Sequence, residues 1–182
     1  MQIRDRLLAA AETEFAAKGA IDARLADIRQ SAQVSVGALY HHFPDKSALY
    51  LQVWQQALDD YQEDFWNQLR AGGDAERGVR AVVTGHLRWV EDHPAKARIL
   101  AMQRPAGLVN SAEFIRNVLG WWHTHETYGS VGSFDADILY ALWLGPAQEL
   151  SRLWLAGEIT TTPTAAAATL ADAAWHTLRR KP

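Results

Sequence analysis

Apolar residues first recur at Ile3, Leu7, Leu8, Ala11 and Phe15, one stripe of a helix over residues 2–18. Gly19 supplies a stop, because glycine enters the left-handed conformation of a helix end without steric penalty. Leu25, Ile28 and Ala32 predict a short helix over about 25–32, and Ser35 stands as N-cap before a second short helix, Val36 to His42. Pro44-Asp45 breaks the pattern, and Asp45 can cap a long helix from Lys46 to about Leu69. Ala71-Gly72-Gly73-Asp74 reads as a turn with a built-in cap.

The same periodicity predicts helices over about 75–92 and 95–103, the second ended by Pro105. Asn110-Ser111-Ala112-Glu113 has the form of a capping box and opens a helix to about Thr127. After the Gly129–Ser133 connection, two more helices are expected, about 135–156 and 163–180. Gly157 closes the first and Thr162-Pro163 opens the second, while Pro146 removes a backbone donor and should kink its helix. No segment alternates as a strand does, and no internal repeat is present. The expected class is all-α, with about nine helices.

At 182 residues the chain can bury one or two cores, and 48% hydrophobic with 21% charged residues excludes wholesale disorder. No uninterrupted apolar run reaches membrane-span length, and the charged start Met1–Arg6 does not read as a signal peptide. Without cysteine there is no disulfide framework, thiolate metal site or thiol nucleophile, which fits a cytoplasmic location. The net charge of −3 changes the picture little. Residues 1–50 hold six Lys/Arg against six Asp/Glu, so charge alone does not point to nucleic acid. All eight Trp follow residue 50, which separates a lightly packed N-terminal module from an aromatic-rich body.

Three N-terminal helices, the second and third short and joined by a tight turn, form the pattern of a helix-turn-helix. Val34, Leu39 and Phe43 are spaced to seat the third helix, and Val36-Gly37-Ala38 keeps its leading edge small. A glycine there costs about 1 kcal/mol relative to alanine, which suggests close approach to DNA or to a neighbouring helix. Tyr40, His41 and His42 offer donors to phosphates or base edges, and Lys46 can add a phosphate contact. Tyr40 could instead pack under the first helix, and the two histidines could simply be solvated. Adjacent helical residues diverge by about 100°, so joint metal ligation by His41 and His42 is disfavoured.

The run Glu14–Gly19, Asp27-Ile28, Ala32 and Val34–Leu49 resembles the DNA-binding domain of the TetR (tetracycline repressor) family, with Gly37–Lys46 the most specific part. That resemblance implies a nine-helix subunit. Helices 1–3 would bind operator DNA, helix 4 would link the domains, helices 5–7 would surround a ligand, and helices 8 and 9 would form a dimer. Three positions depart from the family pattern. Ala20 stands where an aromatic residue is usual, Ala23-Arg24 where a Thr/Ser pair precedes the second helix, and Gln33 where the turn usually holds glycine. Arg24 can replace a phosphate contact but not the missing cap, and Gln33 must adopt a conformation that glycine takes more easily.

The expected division is a DNA-binding domain over 1–46 and a ligand-binding and dimerisation domain over 47–182. DNA contacts are expected from Arg24, Ser35, Val36, Gly37, Ala38, Tyr40, His41, His42 and Lys46. His86, Trp89, Met102, Gln103, Arg104, Phe114, Trp121, Trp122, His125 and Trp143 are candidates to line a ligand pocket, although the rings could equally fill a core. His123 and His125 lie two apart and do not share a helix face, so no metal site is expected, and no cofactor. Leu139, Leu142, Leu150, Leu153 and Trp154 on the eighth helix, with Ala167, Leu170, Ala171, Ala174 and Leu178 on the ninth, are the expected dimer surface.

The expected function is therefore a regulator, not an enzyme: a homodimeric repressor released from double-stranded palindromic operator DNA by a small apolar or aromatic molecule. A regulator without effector, an activator, and an all-helical enzyme using the histidine-rich body are the alternatives. The enzyme reading lacks a nucleophile–base or metal constellation at workable spacing.

Overall fold

The computed structural model describes residues 2–107 and 111–180, and among these the chain forms nine α-helices. They are α1 (Ile3–Asp22), α2 (Leu25–Ser31), α3 (Val36–His42), α4 (Lys46–Ala71), α5 (Ala75–Asp92), α6 (Pro94–Ala101), α7 (Ala112–Thr127), α8 (Ala136–Leu155) and α9 (Pro163–Leu178). The all-α expectation holds. The only extended pairing among the described residues is an isolated bridge between Val131 and Arg179.

Local chemistry explains most helix ends. Gly19 turns the end of α1 out of helical geometry at φ 79°, and a last turn follows it to Asp22. The α2–α3 turn places Gln33 at φ 53°, the left-handed conformation anticipated for that position. Asp45 accepts from the Ala48 amide at 2.8 Å, and Asp74 accepts from the Arg77 amide at 2.8 Å, each capping the helix that follows. Thr162 caps α9 in the same way, followed by Pro163 at the first helical position. Gly157, at φ 73°, closes α8 with the Glu158 amide donating to the Leu153 carbonyl at 3.0 Å. Ser111 precedes α7 without a side-chain cap, and Asn110 of the expected capping box lies outside the described residues. Helix α8 runs through Pro146 as one element.

By packing, the chain forms two units. Of the described residues, the first comprises 2–60 and 93–107, the second 61–92 and 111–180. Helix α6 thus packs with the N-terminal helices, lying on α1, a grouping that the pattern of apolar residues does not show. The core of the first unit is built on Leu7, Phe15, Ile28, Leu39, Phe43, Leu49 and Ile99, with Phe15 edge-on to Tyr50 at 5.2 Å. Burying each such side chain contributes about 1.5–3 kcal/mol. The second unit packs α9 and α8 on α5 around Phe65, Leu87, Trp122 and Trp143. The alanines of α9 at 167, 171 and 174 are buried here and let that helix come close to α5 of its own chain.

No described helix is long and apolar enough to cross a membrane. No group of three or more His, Asp or Glu among the described residues is placed to hold a metal ion.

Candidate nucleic-acid interface

Helix α3 is seated by Val34, Leu39 and Phe43, which are 7%, 2% and 4% exposed, as its spacing predicts. The opposite face therefore points outward. Val36 and Tyr40, one turn apart, are 56% and 52% exposed, and Ser35, Gly37 and His41 are exposed beside them. Ala38 and His42 flank that face, half-buried. Tyr40 is not packed under α1, and the two histidine rings meet edge to face at 5.1 Å. The Ser35 hydroxyl accepts from the Ala38 amide at 3.1 Å, so its first task is to start the helix.

Gly37 is informative. A Cβ placed there would meet nothing within 4 Å, so no neighbouring helix of this chain requires the glycine. The helix therefore carries its propensity penalty on an open face.

Several cations are engaged within the unit. Lys46 donates to the carbonyls of Ile21 and Ala23 at 2.7 and 3.1 Å, closing off the end of α1. Arg29 donates to the Val34 carbonyl at 3.1 Å and so braces the α2–α3 turn. Lys18 pairs with Glu14 and with Asp27, the latter at 3.2 Å. Arg24, at the N-cap of α2 without a side-chain cap bond, stays exposed, as its departure from the family pattern implied. Neither bracing role shows in the pattern of the chain: that of Lys46 depends on carbonyls at the end of α1 more than twenty residues earlier, and that of Arg29 on the path of the α2–α3 turn.

The aromatic residues of the second unit converge. Tyr61 lies edge-on to Trp89 at 5.0 Å and to His86 at 5.7 Å, Phe65 meets Phe114 at 5.2 Å and Trp143 at 5.8 Å, and Trp121 stacks on Trp143 at 6.2 Å. Trp122 is buried with its indole N–H on the Gly132 carbonyl at 3.2 Å, and that of Trp143 is on Val79 at 3.1 Å. His125, half-buried, rests on Trp121 at 4.3 Å.

One buried polar row crosses these rings. The Tyr61 hydroxyl donates to His86 Nδ1 at 2.9 Å, and His86 Nε2 faces the Ser151 hydroxyl at 3.4 Å. Ser151 donates to the Ala147 carbonyl at 2.8 Å, which leaves its oxygen to accept from Nε2–H of a neutral imidazole. Burial pushes the His86 imidazole down to about 4 and raises the Tyr61 hydroxyl well above its usual range. Tyr61 and Ser151 were not foreseen, although Tyr61 and Phe65 continue the apolar stripe of α4 at helical spacing.

Two expected groupings need correction. Met102, Gln103 and Arg104 belong to the first unit, apart from the other pocket candidates. There Gln103 accepts the Tyr50 hydroxyl at 2.9 Å, and Arg104 lies 6.0 Å over the Trp54 ring. On the expected dimer surface, Leu139, Ala167, Ala171, Ala174 and Leu178 are buried within their own unit, where α5, α8 and α9 pack on one another, and so offer little area to a second copy. Leu142, Leu150, Leu153, Trp154 and Leu170 are half-buried.

A family model described as "Bacterial regulatory proteins, tetR family" matches residues 7–53, the segment that contains α2 and α3. The transcriptional repressor KstR2 of Rhodococcus jostii is 32% identical over 143 residues, covering 74% of this chain and 69% of that protein. The transcriptional activator FasR of Mycolicibacterium smegmatis is 32% identical over 97 residues, 53% of this chain, and the chain spans only 44% of that relative's length. Among solved structures, a TetR family transcription regulator from Marinobacter aquaeolei superposes with TM-score 0.83 at 18% identity, over 98% of this chain and 96% of that one. The regulator FadR of Bacillus subtilis, in complex with stearoyl-CoA, superposes with TM-score 0.72 at 13% identity, over 93% and 96%.

Proposed function

The chain belongs to the TetR family of bacterial regulatory proteins, and from that premise we propose that it is a cytoplasmic transcription regulator that binds double-stranded operator DNA as a homodimer. It acts by recognition, not as an enzyme. Residues 1–46 form the DNA-reading module and residues 47–182 the effector and dimer module. Val36, Gly37, Ala38, Tyr40 and His41 of α3, with Ser35 at its start and His42 at its flank, enter the major groove. Arg24 and the remaining N–H of Lys46 meet phosphate.

The observation that carries this reading is the outer face of α3: a seated helix with small, exposed residues at its start and a glycine no internal contact explains. The test is protection of a palindrome upstream of the protein's own gene by purified protein. Gly37→Leu is the discriminating variant, since a Cβ at this position meets nothing of the chain within 4 Å and leucine has a better helix propensity by about 0.8–1 kcal/mol. Operator binding should fall at least tenfold while thermal stability holds or rises. Undiminished binding by both Gly37→Leu and Tyr40→Ala would remove α3 from the interface.

Dimerisation uses the outward faces of α8 and α9, where Ile138 and Tyr140 are 49% and 54% exposed and Ala165, Ala168 and Ala173 are exposed. Such a dimer presents two α3 helices to half-sites about one helical turn apart, or a multiple of that. A small apolar or aromatic effector that releases the operator is supported by the aromatic cluster around Tyr61, His86 and Trp143. The FadR neighbour holds an acyl ligand in the same fold. Repression is the first reading. FasR is named an activator and KstR2 a repressor, so a promoter fusion assayed with and without the protein decides the direction.

A further inference from the structure

The first unit contains a cavity of about 220 Å³ that shares one residue, Lys46, with the proposed DNA contacts. Ala20 lines it from the end of α1, Lys46, Ser47 and Tyr50 from the first turns of α4, and Pro105 and Ala106 from the segment after α6. It is smaller than the roughly 300–1,000 Å³ of pockets for drug-sized ligands, so it fits a single ring or short chain. Four of the six lining residues, Ala20, Tyr50, Pro105 and Ala106, are largely apolar. The Tyr50 hydroxyl is tied to the Gln103 carbonyl at 2.9 Å, which holds that ring in place as a wall.

The charge beside this apolar space is positive. Lys46 Nζ spends two N–H groups on the Ile21 and Ala23 carbonyls, and an ammonium has a third. No carboxylate is among the lining residues, and that of neighbouring Asp45 is on the Ala48 amide at 2.8 Å. A partly enclosed apolar space with an ammonium at its edge complements an anionic head on an apolar body.

We propose that this cavity binds a small carboxylate with an aromatic or short aliphatic body. The carboxylate sits on Lys46 Nζ, and the body lies between Tyr50, Pro105 and the two alanine methyl groups. The same ammonium cannot serve both this ligand and a DNA phosphate, so the ligand competes with the operator. That consequence rests on the DNA-binding reading above, whereas the binding itself does not.

Benzoate is the probe, with benzamide as its neutral counterpart, both titrated into the full chain and followed by amide resonances in two-dimensional NMR. Saturable shifts at Ala20, Ser47 and Ala106 are expected, with benzamide at least tenfold weaker. Ala20→Phe fills the space and Ala20→Val narrows it, so each should weaken benzoate at least tenfold, as should Lys46→Met. Shifts that never saturate, benzamide binding as tightly as benzoate, or benzoate binding unchanged in a folded Ala20 variant would each overturn the proposal. Should neither Ala20 variant fold, the benzamide and Lys46→Met comparisons decide. Benzoate should also release labelled operator from the parent protein, and saturation of the cavity without release would overturn the competition. A chain that bound no DNA would fail the regulator reading and leave the NMR result to stand by itself.

Discussion

Acid should weaken the second unit through one residue, His86. Its imidazole is 9% exposed, and burial lowers it from 6.5 to about 4. In the folded chain Nδ1 accepts from Tyr61 and Nε2–H points to Ser151, so a proton on Nδ1 would end the donation from the tyrosine hydroxyl and charge an apolar site. Between about pH 6.5 and pH 4 the unfolded chain binds a proton that the folded chain refuses. Stability is therefore fully present above pH 6.5 and is lost as pH falls toward 4. From pH 7 to pH 5 these two values give a loss of about 2 kcal/mol. For a chain of this length that is about 4–8 °C in Tm.

Other acids also titrate in this range, so the measurement is a difference. Thermal and urea unfolding of the parent and of His86→Gln, at pH 7 and pH 5 and equal protomer concentration, isolates the imidazole. Glutamine keeps hydrogen-bonding capacity toward Tyr61 and Ser151 without titrating. The parent should lose about 2 kcal/mol more than the variant over that interval, whatever the variant's absolute stability. Parallel pH profiles would refute the picture of a neutral, buried imidazole.

Three further outcomes follow from the first unit. Gln33→Gly relieves a left-handed residue, which costs about 1–2 kcal/mol outside glycine, and gives back part of that as unfolded-chain entropy; a net gain of about 0.5 kcal/mol is expected in thermal unfolding. A lower Tm would show that Gln33 makes contacts that matter more than its backbone. Lys46→Met uncaps the Ile21 and Ala23 carbonyls and should destabilise the chain by about 1–3 kcal/mol in urea titration, even without DNA. Because Lys18 and Arg29 are held internally, each subunit offers only about two or three cations to phosphate. The slope of log affinity against log salt should then be about −4 to −5 per dimer, measured by fluorescence anisotropy on the operator, and a slope beyond about −8 would contradict that charge layout.

Much of the architecture was legible in the chain. Gly19, Ser35, Asp45, Asp74, Gly157 and Thr162-Pro163 are stops and caps whose chemistry acts within a few residues, so helix number and ends could be read without the fold. The seating of α3 was legible too, since Leu39 is the one large apolar residue within a short helix that Val34 and Phe43 flank on either side. Gln33 was also marked in advance, because the α2–α3 turn needs a left-handed residue whichever side chain stands there.

What the chain could not show depends on partners distant in sequence. An apolar stripe states that a face is covered, not by what. The alanines of α9 suit a second subunit as well as a neighbour in the same chain, and only the folded chain shows Ala167, Ala171 and Ala174 buried within the unit where α9 packs on α5 and α8. Likewise, Met102, Gln103 and Arg104 followed a helix expected to line the body, but α6 lies on α1 and carries them into the first unit. The Tyr61–His86–Ser151 row joins three helices, and Lys46 reaches carbonyls more than twenty residues earlier. Periodicity and capping act within a few residues, so the helices and the outer face of α3 can be read along the chain. Burial, proton affinity and most cation partners arise where distant segments pack together, and they exist only once the chain has folded.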